Sequence, residues 1–178
     1  MDPVLIEKGK KVSLAILTRE DAPALYRIIN DPEVHRTLST PGKIYSLVEE
    51  YDWIDNYANV PGKSVNLAIK YNETMETVGI IGINDIDNDR RAHIGYYLRK
   101  DYWGKGIMTE ATALMVDYAF RIMNLRKLFT NVYSMNPASS KVLEKNGFHK
   151  IGTMKRDHYV PGEGFVDVNF YELLNSDA

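Results

Sequence analysis

The sequence predicts a mixed α/β fold. Three observations support this class: a length of 178 residues, a hydrophobic fraction of 44%, and strand-like segments interleaved with segments of helical spacing. This length suits one hydrophobic core and is short for two. We therefore expect residues 1–178 to form one domain with the order β-α-α-β-β-β-α-β-α-β-β, which has about seven strands and four helices.

The first half of the chain predicts two helices and four strands. Thr18 is followed three residues later by Asp21, and this spacing resembles a capping box at the start of the first helix. The NETME segment between two strand-like runs predicts a hairpin. The predicted segments are strand 12–17, helix 21–30, loop 31–43, helix 45–57 and strands 64–71, 77–86 and 93–98.

The second half predicts two helices with distinct beginnings. Apolar residues at helical spacing from Ile107 to Ile122 predict a long buried helix after a Gly-Lys-Gly turn. Asn136 suits an N-cap, Pro137 the first helical position, and Gly147 the stop of a compact helix. A strand at 127–134 precedes this compact helix, and two closing strands follow around a GEG turn.

The composition excludes several classes of function. A net charge of −2 gives no general attraction to nucleic acid, so we expect no nucleic-acid partner. The chain has no cysteine, which excludes disulfides, thiolate metal sites and a cysteine acyl-enzyme, and we expect no metal. No segment approaches the roughly 18 apolar residues of a membrane span, and the N-terminus lacks a signal-peptide pattern. We therefore expect a cytoplasmic protein without a membrane partner.

The stretch WGKGIMTEA places two glycines and a lysine directly before a helix, which suggests an anion site. The first helical N–H groups lack intrahelical partners, and the helix dipole adds partial positive charge. The alternative is that the glycines only allow a tight connection. A P-loop string is absent, and a dinucleotide-binding fingerprint would need glycine at Thr109, so neither nucleotide motif fits.

The runs HIGYYLRKDYWGKGIMTEA, NPASSKVLEKNGF and GFVDVNFYELL closely resemble the GNAT acetyltransferase superfamily. Within it they are similar to the RimJ/RimL-like branch, whose members acetylate N-terminal α-amines, including those of ribosomal proteins. The resemblance covers residues 10–174 and is most specific from 93 to 171. It implies the GNAT fold with a mostly antiparallel sheet, acetyl-CoA as cofactor, and a protein N-terminus or small amine as partner. It leaves a homodimer open.

The family signature Gln/Arg-x-x-Gly-x-Gly/Ala aligns with residues 103–108 of this chain. Gly106 matches strictly, whereas Trp103 and Met108 depart from the pattern. Because these positions act through backbone N–H groups, the resemblance still implies that the turn holds the pyrophosphate of acetyl-CoA. The residues implied for the coenzyme are Leu98, Trp103, Gly104, Lys105, Gly106, Ile107, Met108, Thr109, Asn136 and Ser139.

The resemblance also implies the catalytic residues. In RimL-like enzymes the serine of an Asn-x-Ala-Ser string assists the departing thiolate, and Ser139 occupies that position; the alternative is an exposed serine beside a capping Asn136. A backbone N–H near Tyr97, at Tyr96, Tyr97 or Leu98, would polarise the thioester carbonyl at the family's β-bulge.

His158 lies where relatives carry a catalytic glutamate. A histidine pKa near 6.5 suits a general base, so we predict this role for His158, with Asp157 as a substitute; the alternative is an exposed histidine.

The second helix interleaves four acids, Glu49, Glu50, Asp52 and Asp55, with aromatic residues. These acids form either a solvated face above packed aromatics or a wall that attracts a cationic substrate. For substrate binding we expect Glu49 and Trp53, together with His93 at the start of the central strand. His35 and His149 are expected at the surface.

The functional hypothesis is acetyl transfer to a protein N-terminal α-amine by direct attack in a ternary complex. Acetylation of a polyamine such as spermidine is an alternative, since NDRRAHIGYYL also resembles spermidine acetyltransferases. Those relatives carry a catalytic tyrosine at the position of Leu143, which favours the N-terminal hypothesis. Other small amines stay open, and a non-catalytic acyl-CoA-binding module is an alternative of another class.

Overall fold

The computed structural model describes residues 2–38, 40 and 42–176. Its eight strands are β1 (Leu5–Lys8), β2 (Val12–Ile16), β3 (Val65–Tyr71), β4 (Thr77–Asn84), β5 (Arg91–Leu98), β6 (Lys127–Tyr133), β7 (His149–Val160) and β8 (Gly164–Leu174). They form one sheet in the order β1-β2-β3-β4-β5-β6-β8-β7. The β5–β6 pair is parallel, and the other neighbouring pairs are antiparallel.

Five α-helices are found in the described part of the chain. They are α1 (Ala22–Ile29), α2 (Pro32–His35), α3 (Leu47–Asn56), α4 (Ile107–Arg121) and α5 (Pro137–Lys145). Helix α1 packs on β4 and β5 and contacts α3, whereas α4 packs on β1, β2 and β4 and contacts α5. Helices therefore cover both faces of the sheet, and this explains why β4 is buried from Thr77 to Ile83.

The predicted mixed, mostly antiparallel α/β fold is confirmed, with two additional elements. Strand β1 was not predicted, because LIEK is short and lacks a clear alternation. Helix α2 lies in the segment predicted to be loop, where Asp31 caps it through the Glu33 N–H and Pro32 occupies its first position. Ser39 and Pro41, in the same predicted loop, lie outside the described residues.

Local signals explain where several elements begin. The predicted capping box is present, and the Thr18 N–H donates to Asp21 Oδ2 at 2.8 Å. A second one, between Ser46 and Glu49, begins α3. No helix within residues 2–38, 40 and 42–176 is long and apolar enough to cross a membrane.

Strands β5 and β6 separate along their length. Their pairing runs from Arg91 and Lys127 to His93 and Phe129. Strand β5 nevertheless continues to Leu98 and β6 to Tyr133. The sheet therefore opens between the C-terminal ends of these two strands, and this opening positions the site described next.

Candidate active site

Two cavities meet at the opening between β5 and β6. The helix cleft, of about 440 Å³, lies between the Gly-Lys-Gly turn and the start of α5. The inner cavity, of about 470 Å³, lies between α3 and strands β5 and β6. Five residues line both, so the two spaces are adjoining parts of one site; they are Thr37, Tyr96, Tyr97, Asn136 and Ser139.

The predicted coenzyme residues lie together at the helix cleft. Of the ten, all except Lys105 line it. The Lys105 ammonium instead lies 5.3 Å from the centre of the Tyr102 ring, and Tyr102 itself lines the cleft. The stretch from Trp103 to Thr109, apart from Lys105, therefore forms one wall of the cleft.

The turn requires glycine and leaves helical amides free. Gly104 and Gly106 have φ of 71° and 77°, in the left-handed region that other residues avoid. The Glu110 N–H donates to Gly106 O at 3.1 Å. The amides of Ile107, Met108 and Thr109 precede that bond, so α4 offers them to an anion together with the positive end of its dipole.

Lys11 is a cation at this turn that the sequence analysis missed. Its ammonium donates to Lys105 O at 2.7 Å, and the Lys11 N–H donates to the Glu110 carboxylate at 3.1 Å. The β1–β2 hairpin is thereby tied to the first turn of α4. No sequence signal could identify Lys11, because 94 residues separate it from Lys105.

The two residues that depart from the signature have structural roles. Trp103 donates its indole N–H to Leu98 O at 2.8 Å, which fastens the turn to the end of β5. Met108 is buried in the main core and also lines the helix cleft. Both substitutions therefore leave the backbone donors in place while adding apolar surface to the cleft.

Asn136 and Ser139 combine capping with a position at the junction of the cavities. Asn136 Oδ1 accepts from the Ser139 N–H at 3.2 Å, so the capping interpretation is correct for Asn136. The Ser139 hydroxyl lies 2.9 Å from Tyr96 Oη. Burial raises the pKa of Tyr96 to about 12, so this phenol keeps its proton at neutral pH. Sequence reasoning did not identify the Tyr96 side chain.

Two backbone amides of β5 point into the opening. Arg99 N–H donates to Val78 O at 2.8 Å, so the alternation of an antiparallel ladder directs the Tyr97 amide toward β4. The same alternation directs the Tyr96 and Leu98 amides toward β6, beyond the end of its pairing. The register from Gly79/Leu98 to Asn84/His93 is regular, so the expected β-bulge is absent here. Splaying of β6 creates the opening instead.

The inner cavity gathers the three residues predicted for substrate binding, because Glu49, Trp53 and His93 all line it. His93 Nε2 lies 3.3 Å from Thr130 Oγ1, and burial lowers the pKa of His93, which keeps the ring neutral at pH 7. Trp53 packs against the buried cluster beneath α1 and α3.

The four acids of α3 divide into two pairs. Asp52 and Asp55 are exposed and interact with Asn56 and Arg19, so they form the solvated face. Glu49 and Glu50 line the inner cavity. The Glu49 carboxylate accepts from the Ser46 N–H at 2.8 Å and thus serves the capping box.

Glu50 differs from its neighbour Glu49. Its side chain is 4% exposed, and its Oε1 has no hydrogen-bond partner among the described residues. Burial raises the pKa of Glu50 to about 7, and Lys43 opposes this effect only in part.

Three histidines, for which the sequence predicted a catalytic or a surface position, lie in different surroundings. His158 stacks on Tyr133, with ring centres 5.2 Å apart, and is absent from the lining of both cavities, whereas Tyr133 lines the inner cavity. His149 is exposed beside Glu172, as expected. His35, the last residue of α2, is half-buried with Nδ1 3.1 Å from Ile29 O, so the surface expectation is wrong: its ring packs back against the end of α1.

The sequence is similar to an acetyltransferase family and to individual acetyltransferases. Residues 11–149 match the model of the acetyltransferase (GNAT) domain. The chain is 32% identical over 170 residues to the uncharacterized N-acetyltransferase p20 of Bacillus licheniformis, covering 94% of this chain and 95% of that protein. It is 28% identical over 153 residues to spermidine N(1)-acetyltransferase of Escherichia coli (strain K12), with coverage of 85% and 80%.

A solved structure agrees with these matches. RimL, the ribosomal L7/L12 α-N-protein acetyltransferase in complex with coenzyme A, superposes with a TM-score of 0.85 at 26% identity, covering 98% of this chain and 99% of that one. The helix cleft fits such a cofactor, because the free amides at the start of α4 line it and supply donors for a diphosphate, with the Lys11 ammonium held at the adjoining turn. The chain belongs to the GNAT acetyltransferase family and is an acetyl-CoA-dependent N-acetyltransferase.

Proposed function

We propose that the acceptor is the N-terminal α-amine of a protein. The observation that carries this proposal is the composition of the inner cavity. Neutral amides line it, and one buried carboxylate, Glu50, accompanies them. Such walls suit one amine followed by a peptide backbone, whose N–H and C=O groups can pair with side-chain amides.

The amides of the cavity come from three strands and from the N-cap residue of α5. Asn66 and Asn84 hydrogen-bond to each other at 3.0 Å across β3 and β4, and Asn131 and Asn136 lie on the opposite side of the opening. A polyamine carries several positive charges, which several carboxylates would have to compensate. Glu49 offers only an exposed carboxylate that already accepts from Ser46 and lies 4.0 Å from the Lys43 ammonium.

The acid–base chemistry of the acceptor also favours this class. An α-amine has a pKa of about 7.7–8.0, so on the order of a tenth of it is neutral at pH 7, whereas a lysine-like amine at about 10.4 is almost wholly protonated. An α-amine therefore needs only a modest base to become a nucleophile.

Acetyl-CoA supplies the acetyl group and a thiolate as leaving group. In the proposed arrangement the Tyr96 and Leu98 amides donate to the carbonyl oxygen. Tyr96 donates its phenolic proton to Ser139 Oγ, which leaves the Ser139 hydroxyl proton for the departing sulfur. The absence of cysteine is consistent with direct attack of the amine on the thioester.

The role of His158 as a base stays a prediction. Because His158 lies behind the Tyr133 ring, a proton from the inner cavity would have to pass that ring to reach it. The substitution His158→Gln tests the prediction, with a loss of about 100-fold in kcat expected for a base in contact with the amine.

The experiment for the acceptor class is coenzyme A release with a panel of short peptides that differ in their first residue. Matched peptides with a blocked N-terminus but a free internal lysine serve as controls. Turnover of the free peptides alone supports the proposal. Turnover that follows the internal lysine contradicts it. The expected cytoplasmic location is consistent with such substrates and stays a prediction.

A polyamine is the second candidate, because spermidine N(1)-acetyltransferase is among the relatives and two acids of α3 line the cavity. Spermidine belongs in the same assay at equal concentration. A kcat/KM for spermidine that exceeds every peptide's by tenfold or more would replace the N-terminal assignment. A homodimer also stays open, and sedimentation of the purified protein determines the oligomeric state.

A further inference from the structure

We propose that Glu50 is the residue that binds the acceptor amine and receives its proton. This inference rests on the proposed function, since it assigns the base within the inner cavity. It concerns a residue that the sequence analysis counted only as one of four acids on a helix. Its geometry distinguishes it from the other three.

Glu50 is buried, and one of its carboxylate oxygens has no partner among the described residues. Glu50 is 4% exposed, and its Oε1 accepts no hydrogen bond from any described residue. A buried carboxylate without donors costs stability, and native proteins satisfy such groups unless function requires otherwise. A carboxylate that lines the cavity in this state is suited to a ligand that brings its own donors, as an amine does.

The position of Glu50 in the site also favours this role. It lines the same cavity as Ser139 and Tyr96, which lie at the junction with the helix cleft. Burial, and after it the charge of Glu50, raises the pKa of the Tyr97 phenol, and Tyr97 lines both cavities. The Glu50 carboxylate thus belongs to the part of the cavity that adjoins the coenzyme.

The groups around Glu50 leave its protonation state able to change. Lys43 and Glu49 lie on the same side of the cavity and pair with each other at 4.0 Å. Burial keeps the Tyr97 phenol and, across the cavity, the His93 ring neutral at pH 7, and the Tyr45 side chain also lines this cavity. Burial is thus the main cause of the raised pKa of Glu50, which is about 7. A base with this pKa is half ionised at neutral pH and remains able to accept a proton.

The raised pKa also matches one class of amine. It lies within about one pH unit of an α-amine at about 7.7–8.0, so a proton moves from that ammonium to the carboxylate with little penalty. An alkyl amine at about 10.4 would keep its proton. The pairing therefore favours α-amines over polyamines at neutral pH.

Acetyl transfer exchanges a carbon–sulfur bond for a carbon–nitrogen bond. The amine nitrogen forms a bond to the acetyl carbon as the carbon–sulfur bond breaks. Glu50 has by then taken one proton from the ammonium; sulfur leaves with the bonding pair as the coenzyme A thiolate, and the second nitrogen proton passes to that thiolate to give the free thiol. Release of the Glu50 proton to solvent restores the carboxylate for the next cycle.

The test compares wild type, Glu50→Gln and Glu50→Asp with Asp52→Asn as the matched control on the exposed face of α3. Initial rates are measured from pH 5.5 to 9.5 with acetyl-CoA and a short peptide with a free N-terminus. Acetyl-CoA binding is measured separately by calorimetry. We expect Glu50→Gln to lower kcat/KM about 100-fold at pH 7. The deficit should shrink to less than about tenfold at pH 9, because the α-amine is then neutral in solution.

The same experiment contains the results that would overturn the proposal. Glu50→Gln with a wild-type pH profile removes the base assignment. An equal deficit at pH 7 and pH 9, or acetyl-CoA binding weakened by more than tenfold, makes Glu50 a structural residue. Glu50→Asp should retain more activity than Glu50→Gln, and Asp52→Asn should match wild type. If wild type acetylates spermidine and no peptide, the N-terminal assignment fails, and the same variants assayed on spermidine still determine the role of Glu50.

Discussion

The helix cleft and the inner cavity adjoin, yet they are built from different parts of the chain. The cleft uses backbone amides of consecutive residues at the start of α4, supported by two left-handed glycines. The inner cavity uses side chains from α3 and strands β3 to β6. The cleft therefore tolerates Trp103 and Met108 in place of the family's residues, whereas the cavity depends on the identity of single side chains such as Glu50.

The largest effect on activity is expected from Ser139, which lies at the junction of the helix cleft and the inner cavity. Ser139→Ala removes the hydroxyl proposed to donate to sulfur, so we expect kcat to fall about 100-fold with little change in acetyl-CoA Kd. Tyr96→Phe removes only the phenol that orients Ser139 Oγ at 2.9 Å, and should cost about tenfold. Steady-state kinetics and calorimetry measure both. A loss of acetyl-CoA affinity that matches the loss of kcat would assign Ser139 to binding instead.

Glu50 should also control the pH dependence of stability. Its pKa rises from 4.5 in the unfolded chain to about 7 in the folded protein, so the folded state holds the proton longer. The free energy of unfolding contributed by this group should therefore fall as pH rises from about 4.5 to 7, by on the order of 1–3 kcal/mol. Glu50→Gln should remove that fall and be more stable than wild type above pH 7, as urea unfolding at several pH values would measure. A parallel fall in both proteins contradicts the buried, unpartnered carboxylate.

A smaller effect is expected from the turn. Gly106→Ala forces a side chain into φ of 77°, which costs about 1–2 kcal/mol, so acetyl-CoA should bind about tenfold more weakly. Gly152→Ala is the matched control, because a Cβ there would meet nothing within 4 Å and its φ is not positive. Unchanged affinity in Gly106→Ala would show that the amides of the turn do not hold the coenzyme.

The smallest effect is expected from Lys11. Lys11→Met removes one cation from the turn while leaving the Glu110 contact to its backbone intact, and should raise acetyl-CoA Kd about fivefold at low salt. Lys155→Met, on the exposed side of β7, should change nothing. Because salt screens an exposed charge, the Lys11 effect should shrink as ionic strength rises. A salt-independent effect would instead indicate that Lys11 acts by holding the hairpin to α4.

The difference between the helix cleft and the inner cavity also explains what could be predicted from the sequence. The helix cleft was predictable because its donors are adjacent in the chain: Gly104 and Gly106 precede a helix, and Asn136 caps the next one. The inner cavity was only partly predictable. Glu49, Trp53 and His93, predicted for substrate binding, line it, but burial distinguishes Glu50 from Glu49, and burial depends on the packing of α3. Tyr96 and Lys11 meet their partners across long chain separations, which no local pattern reveals.

We infer that the helix cleft and the inner cavity act separately, with the cleft binding the coenzyme and the cavity activating the amine. The most direct measurement is a double-mutant cycle in kcat/KM with Glu50→Gln and Gly106→Ala, assayed at pH 7 with subsaturating acetyl-CoA. Independent sites add in free energy, so the double variant should lose the product of the single effects, about 1,000-fold. A double variant within about threefold of Glu50→Gln alone would contradict this separation, because the two positions would then be energetically coupled.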